Sequence, residues 1–327
     1  MKKIRKIGVM TSGGDSPGMN AAIRSVVRTC AFYEIECVGI YRGYEGMIEG
    51  DFTNLDARSV KGIINKGGTF LKSARSKEFR TPEGRKKAHD HLVGAGIDAL
   101  VVIGGDGSFT GAQIFNQEYG FPVVGIPGTI DNDIYGTTST LGFDTALNTV
   151  VDAIDKIRDT ASSHNRLFFV EVMGRDVGHI ALNAGVGSGA EEILIPEENL
   201  GIDRLLESLD KSKNSGKSSS IVIVAEGDKT GKNIFELKDY VEQHRPQYDI
   251  RVSVLGHMQR GGSPSCFDRV LACRMGVKAV ETLLSGESGY MVGIRDNKLN
   301  LTPLDKAIKG HTKIDKELIR VSDIMST

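Results

Sequence analysis

Ala99-Leu100-Val101-Val102-Ile103-Gly104-Gly105-Asp106-Gly107-Ser108 is an apolar run of strand length that empties into a Gly-rich, acidic loop. Phe121-Pro122-Val123-Val124-Gly125-Ile126-Pro127-Gly128-Thr129-Ile130-Asp131-Asn132-Asp133 repeats the pattern a little further on. In a parallel α/β sheet, neighbouring strands carry such loops side by side at their carboxyl ends, where ligands bind. Three acids, Asp106, Asp131 and Asp133, beside Gly-rich backbone suit a metal-bound polyphosphate and a hydroxyl awaiting deprotonation. That combination points to phosphoryl transfer.

Working outward, short apolar runs alternate with longer amphipathic segments. Strands are predicted at Ile7–Met10, Cys37–Tyr41, Leu167–Val172, Ile193–Ile195, Ile221–Val224, Val252–Leu255 and Met291–Ile294. Helices are predicted from Pro17 or Gly18 past Val27, over Pro82–Val93, and over Thr145–Asp159. Lys211–Ser220 reads as a polar surface loop. Strands separated by helices require crossover connections, hence a mostly parallel α/β architecture with helices on both faces. The runs are too many for one ordinary open sheet, so two such layers are expected.

Composition narrows the function. In 327 residues, 41 Lys+Arg nearly balance 42 Asp+Glu, so no overall field recruits nucleic acid or membrane. An anion site must come from locally placed arginines, and Arg75, Arg166, Arg175, Arg251 and Arg260 recur at strand and loop ends. Glycine is abundant, 40 residues against an average of about 7%. Cys30, Cys37, Cys266 and Cys273 are spaced too widely for a zinc knuckle, and no secretory leader is evident. They read as reduced thiols of a cytoplasmic protein, and no apolar stretch approaches membrane-spanning length.

Each motif also has a plainer reading. Thr11-Ser12-Gly13-Gly14-Asp15-Ser16-Pro17-Gly18-Met19-Asn20 offers backbone N–H groups to a phosphate at a helix start. It lacks the Gly-Lys-Ser/Thr of a P-loop and is not GxGxxG, so it also suits an ordinary strand-to-helix turn. Asp106 suits Mg²⁺ beside a nucleotide, but an Asp or Ser there also suits a helix N-cap. Asp131 and Asp133 alternate, which in extended chain aims them at opposite sides. One then faces the attacking hydroxyl as general base and the other the metal. His257 alone reads as a structural hydrogen-bonding residue.

Together, TSGGDSPGMNAAIR (11–24), INKGGTFLKSAR (64–75), GGDGS (104–108), PGTIDND (127–133), VEVMGR (170–175) and LGHMQRGGSP (255–264) resemble the bacterial-type ATP-dependent 6-phosphofructokinases. The likeness runs from Ile7 to about Gly293 and implies transfer of the ATP γ-phosphoryl group to the 1-hydroxyl of fructose 6-phosphate. It implies two Rossmann-like three-layer (αβα) domains with mostly parallel sheets and the active site in the cleft between them. Residues 1–141 and 259–308 would bind ATP; 142–258 and 309–327 would bind fructose 6-phosphate.

By the same resemblance, Gly14, Arg75, Ser76, Gly105, Asp106, Gly107 and Ser108 bind ATP, with Asp106 on Mg²⁺. Asp131 is the base, with Thr129 and Asp133 beside it, and Arg175 stabilises the transferring phosphoryl. Thr129, Ile130, Asp131, Met173, Gly174, Arg175, Glu226, His257, Met258, Gln259 and Arg260 contact the sugar phosphate. Arg166 and Arg251 reach it from a neighbouring subunit of a homotetramer. Pyrophosphate-using relatives carry Asp at the position of Gly107 and Lys at that of Gly128, so ATP is the expected donor.

An effector pocket for ADP and phosphoenolpyruvate is implied at Arg24, Ser25, Val26, Val27, Arg28, Arg158, Gly189, Ala190, Glu191, Lys217, Ser218 and Ser219. Ala57 replaces a family arginine, although Arg58 adjoins it; Ser215 replaces a lysine and Gly62 an acid. Two other readings remain: an NAD or lipid kinase, on the strength of GGDGS, and a non-enzymatic sugar-phosphate sensor.

Overall fold

The computed structural model describes residues 4–164, 166–198, 201–214, 220–228, 232–310 and 312–325. They form two units, Met1–Thr145 with Arg260–Thr312 and Ala146–Gln259 with Lys313–Thr327. The divisions near 145 and 312 fall four residues beyond those expected from sequence. At the first, Gly142 and Thr145 are hydrogen-bonded to Asp268, which ties that segment to the first unit.

The first unit begins with β1 (Lys6–Ser12), α1 (Met19–Phe32), β2 (Glu36–Ile40), α2 (Tyr44–Glu49) and β3 (Phe52–Leu55). It continues through α3 (Pro82–Gly94), β4 (Ala99–Gly104), α4 (Asp106–Tyr119), β5 (Val123–Pro127) and the start of α5 (Phe143–His164). The second unit carries β6 (Arg166–Val172), α6 (His179–Ser188), β7 (Glu192–Leu194), α7 (Gly201–Asn214) and β8 (Ser220–Ala225). α8 (Ile234–His244) and β9 (Asp249–Val254) follow. The chain then returns to the first unit with α9 (Cys266–Leu284), β10 (Tyr290–Arg295), β11 (Lys298–Pro303) and α10 (Leu304–Lys309). It ends in the second with α11 (Lys316–Met325).

The first sheet runs β11-β10-β5-β4-β1-β2-β3. Its five central strands are parallel, and β3 and β11 pair antiparallel at the two edges. Every residue of β4 and β5 is buried, as strands with helices on both faces require. The second sheet, β7-β8-β6-β9, is parallel throughout. One core lies on each face of the first sheet, and another packs Phe169, Val222 and Ile250 against α7 and α8 through Leu205 and Leu237.

Three differences from the sequence reading have local causes. The edge strands β3 and β11 are additional, because neither is a continuous apolar run: β11 is mostly half-buried. The turn into β11, Asp296-Asn297, has φ of 48° and 58°, the paired left-handed geometry of a tight hairpin. Residues 211–214, read as loop, complete α7, whose Leu205, Leu206 and Leu209 are buried; Ser215 and the rest of 215–219 lie outside the described residues. Finally, α5 runs beyond both expected ends.

Candidate active site

In the first sheet, β2 lies on one side of β1 and β4 on the other. The chain therefore reverses its winding direction at β1, and the loops leaving β1 and β4 open a crevice at their carboxyl ends. Ser12 pairs with Gly104 and Gly104 with Pro127, so three loops leave the sheet at one level. They lie closely enough to exclude side chains. A Cβ on Gly104 would sit 2.4 Å from the Ser12 carbonyl oxygen and 2.5 Å from Ser108 Oγ. The first loop needs left-handed backbone at Gly13 and Gly18, with φ of 88° and 100°.

Gly105 is the N-cap of α4 and makes no side-chain capping bond; Asp106, Gly107 and Ser108 form the first turn. Neither Asp106 nor Ser108 is itself the cap. The first-turn N–H groups point out of the helix end, where an anion is favoured, and a Cβ on Gly107 would have nothing within 4 Å. On Gly128, by contrast, it would meet Met19 Cε at 3.1 Å and Ile103 Cγ2 at 3.2 Å. Tyr44, buried beneath the loop with its phenol pushed far up by desolvation, donates from its hydroxyl to the Ser108 carbonyl at 2.5 Å.

The Pro127–Asp133 loop is not extended, contrary to the alternation read from sequence. Asn132 has φ of 54°, so Asp131 and Asp133 do not follow a strand pleat. Asn132 closes the turn with its side chain: Oδ1 accepts from Thr140 N at 2.9 Å and Nδ2 donates to the Thr138 carbonyl at 3.2 Å. Thr140 Oγ1 donates to the Thr129 carbonyl at 2.6 Å, and Thr129 Oγ1 accepts from Asp131 N at 3.2 Å. Thr129 and Asp131 are buried and Asp133 is half-buried. Ile130 is fully buried, so only its backbone can meet a ligand.

Arg260 lies on the first loop, donating to the Asp15 carbonyl at 3.3 Å. Ser73 donates to the Gly13 carbonyl at 2.6 Å. Ser76 accepts from Phe79 N at 3.2 Å, and Arg75 beside it is exposed. Ser16, fully buried beneath the same loop, has no hydrogen-bond partner for its Oγ among the described residues. A buried hydroxyl without a partner destabilises, so Ser16→Ala should leave turnover unchanged and raise stability by about 1 kcal/mol. Urea unfolding would reveal a loss instead if the hydroxyl has a partner in solution.

In the second unit, β8, β6 and β9 are adjacent, so the loops after them meet at one end of the sheet. Glu226 follows β8, and its Oε1 accepts from Arg175 N at 2.6 Å and Gly174 N at 3.3 Å. Gly174 and Arg175 are both left-handed, with φ of 148° and 58°, a conformation unfavourable for arginine unless its surroundings hold it. Gly227 permits it: a Cβ there would lie 2.1 Å from the Arg175 carbonyl oxygen. Burial, with Glu226 nearby, pushes the Glu171 carboxyl up.

Gln259 is fully buried. Its Oε1 accepts from Met173 N at 3.2 Å and its Nε2 donates to the Gly256 carbonyl at 3.0 Å. It braces the loop, whereas its neighbours His257 and Met258 are exposed.

Arg166 and Arg251 do not join this group. Arg166 opens β6 and Met173 follows its far end; the strand has seven residues, and a rise of about 3.3 Å per residue separates them by roughly 20 Å. Both guanidinium groups engage Asp249, Arg166 Nε at 2.8 Å and Arg251 Nη1 at 2.6 Å. The Arg166 bond, with Arg251 nearby, holds the Asp249 carboxyl below its ordinary range.

Of the effector residues, Val26 and Val27 are fully buried, and Ser25 donates to the Cys273 carbonyl where α1 crosses α9. Only Arg24 and Arg28 of that segment present side chains to a ligand. Arg158 Nη2 donates to the Ser188 and Gly189 carbonyls at 2.9 and 2.8 Å, with Nη1 3.5 Å from Glu191. Ala190 and Glu191 are buried. Lys217, Ser218 and Ser219 lie outside the described residues.

One residue near the first-unit loops escaped the sequence reading: Asp268, fully buried on α9. Its signal was present as Ser265-x-x-Asp268, a helix-start pattern, and Ser265 does cap α9 by accepting from Asp268 N at 3.2 Å.

Comparison with known proteins agrees with this geometry. The family model described as Phosphofructokinase matches residues 6–283. The chain is 51% identical over 321 residues to "ATP-dependent 6-phosphofructokinase 2" of Bacteroides thetaiotaomicron, covering 98% of each chain. It is 53% identical over 323 residues to "ATP-dependent 6-phosphofructokinase 1" of Thermus thermophilus, covering 99% of this chain and 100% of that one. Among solved structures, phosphofructokinase from Saccharomyces cerevisiae superposes with a TM-score of 0.89 at 40% identity, over 93% of this chain and 45% of that chain. A pyrophosphate-dependent phosphofructokinase from Marinobacter aquaeolei shares the fold, with a TM-score of 0.86 at 20% identity, over 99% of this chain and 92% of that one. With loops, sheets and near-full-length relatives in agreement, the chain belongs to the phosphofructokinase family.

Proposed function

We propose that the chain is an ATP-dependent 6-phosphofructokinase, a glycolytic kinase that converts fructose 6-phosphate and ATP to fructose 1,6-bisphosphate and ADP. The observation that carries this reading is the convergence of three loops, Gly13–Gly18, Gly104–Ser108 and Pro127–Asp133, at the switch point of the first sheet. It is supported by relatives of that name at more than half identity over nearly the whole chain. Gly14, Arg75, Ser76 and Gly105–Ser108 take the nucleotide. Asp131 accepts the proton of the 1-hydroxyl, with Thr129 and Asp133 beside it. Arg175 carries the cation that meets charge developing on the transferring phosphoryl. Met173, Gly174, Glu226, His257, Met258, Gln259 and Arg260 form or brace the sugar-phosphate site.

Among the described residues no cluster of three or more His, Cys, Asp or Glu can hold a metal ion. Magnesium is commonly held by one or two carboxylates together with substrate phosphates. Asp106, half-buried at the start of α4, offers one such carboxylate and fits Mg²⁺ arriving with the nucleotide. Bound there, the ion would neutralise phosphate charge during transfer.

The roughly 20 Å between Arg166 and the Met173 loop supports a sugar-phosphate clamp made in trans, in a homotetramer. ADP and phosphoenolpyruvate are the proposed effectors, received at Arg24, Arg28, Arg158 and Glu191. No described helix is long and apolar enough to cross a membrane; the proposed setting is the cytoplasm. The reading is tested by ADP release: fructose 6-phosphate should support it, whereas NAD and diacylglycerol should not. Equal turnover with NAD or diacylglycerol, or sugar-phosphate binding without turnover, would overturn it.

A further inference from the structure

Asp268 sits in the first turn of α9 and reaches across to the start of α5. Its Oδ1 accepts from Gly142 N at 3.0 Å; its Oδ2 accepts from Thr145 N at 2.9 Å and Thr145 Oγ1 at 2.5 Å. The bonding is reciprocal. Thr145 Oγ1 accepts from Ser265 N at 2.9 Å, and Ser265 Oγ donates to Asp144 at 2.5 Å. Two helix N-termini thus share a buried carboxylate, the charge sign their dipoles favour. Burial pushes that carboxyl up, and the bonds from Thr145 and Gly142 partly offset the shift.

The anchored segment leads directly to the proposed base. Leu141 N donates to the Pro127 carbonyl at 2.9 Å, and Leu141 bridges Gly128 in parallel register. Thr140, one residue earlier, holds the Thr129 carbonyl and the Asn132 side chain. The first loop is gripped from the same side. A Cβ on Gly142 would lie 2.7 Å from Ser16 Cβ, and one on Gly18 would lie 3.7 Å from Asp268 Cβ. Gly142 itself is left-handed, with φ of 100°, a conformation open to glycine, so the path of the segment is set by its bonds to Asp268.

We propose that Asp268 is a positioning residue for phosphoryl transfer: by fixing Gly142 and Thr145, it holds Thr140–Leu141 against Pro127–Thr129 and so sets where Asp131 stands. It touches neither substrate and acts through Asp131, so the inference rests on the base assignment made above. Asparagine in its place keeps the shape, but its amide nitrogen cannot accept the bonds that one of the two oxygens now receives.

The test is a double-mutant cycle in turnover. Asp268→Asn should lower kcat about 10-fold or more while the half-saturating MgATP concentration stays within about two-fold. Added to Asp131→Ser it should cost less than about two-fold more, because the residue being positioned is already gone. A purely structural role predicts the opposite, with the two losses multiplying. If Asp268→Asn yields no folded protein, Thr145→Val enters the same cycle, removing the shared hydroxyl without the charge. A full loss in Asp131→Ser with multiplying effects overturns the positioning role alone. Near-normal turnover in Asp131→Ser overturns the base assignment and the positioning role together.

Discussion

Asp131→Ser should lower turnover at least ~100-fold with little change in half-saturating fructose 6-phosphate, as removal of a general base predicts. The expectation rests on placement. Asp131 is buried in a turn that Asn132 and Thr140 close with side-chain bonds, one strand over from the Gly104–Ser108 loop. Serine keeps a small polar group and leaves the turn intact, so binding should survive while proton acceptance is lost. Steady-state kinetics checks this; near-normal kcat would remove Asp131 from the chemistry.

Arg251→Ala should raise half-saturating fructose 6-phosphate about ten-fold or more while leaving that for ATP nearly unchanged. A charge-assisted hydrogen bond to phosphate contributes roughly 1.5–3 kcal/mol, and about 1.4 kcal/mol corresponds to ten-fold in binding. Arg251 stands in the first half of β9, paired in register with Phe168 of β6, towards the end of the sheet opposite Met173. A sugar phosphate bound at Met173–Arg175 is therefore out of reach of its own chain's Arg251. Asp131→Ser chains and Arg251→Ala chains, dissociated and reassociated together, should recover some high-affinity active sites. Verified hybrids without them would place Arg251 in a local structural role with Asp249.

Much of the fold was legible because parallel strands covered on both faces are unbroken apolar runs. Ala99–Ile103 and Ile221–Val224 announce themselves, and the loops that follow carry the chemistry. The edge strands β3 and β11 were not legible, since half-exposed strands mix polar residues into short segments. The acids of the Pro127–Asp133 loop were legible as residues but not in their directions, because the left-handed Asn132 is set by bonds to Thr138 and Thr140 beyond the motif. Gln259 and Asp268 are harder still. Their work is done through partners distant in sequence, Met173 and Gly142, and no local pattern specifies those pairings.

The most direct test is to follow fructose 6-phosphate by ³¹P NMR with Mg²⁺ and either ATP or pyrophosphate at equal concentration. Gly107, with open space at its Cβ position, leaves room for a nucleotide, whereas a side chain at Gly128 would press on Met19 and Ile103. With ATP, a second sugar phosphate resonance, at the 1-position, should grow as ADP appears; with pyrophosphate the spectrum should stay essentially unchanged. A comparable rate with pyrophosphate, or ADP formed without a bisphosphorylated sugar, would contradict the account.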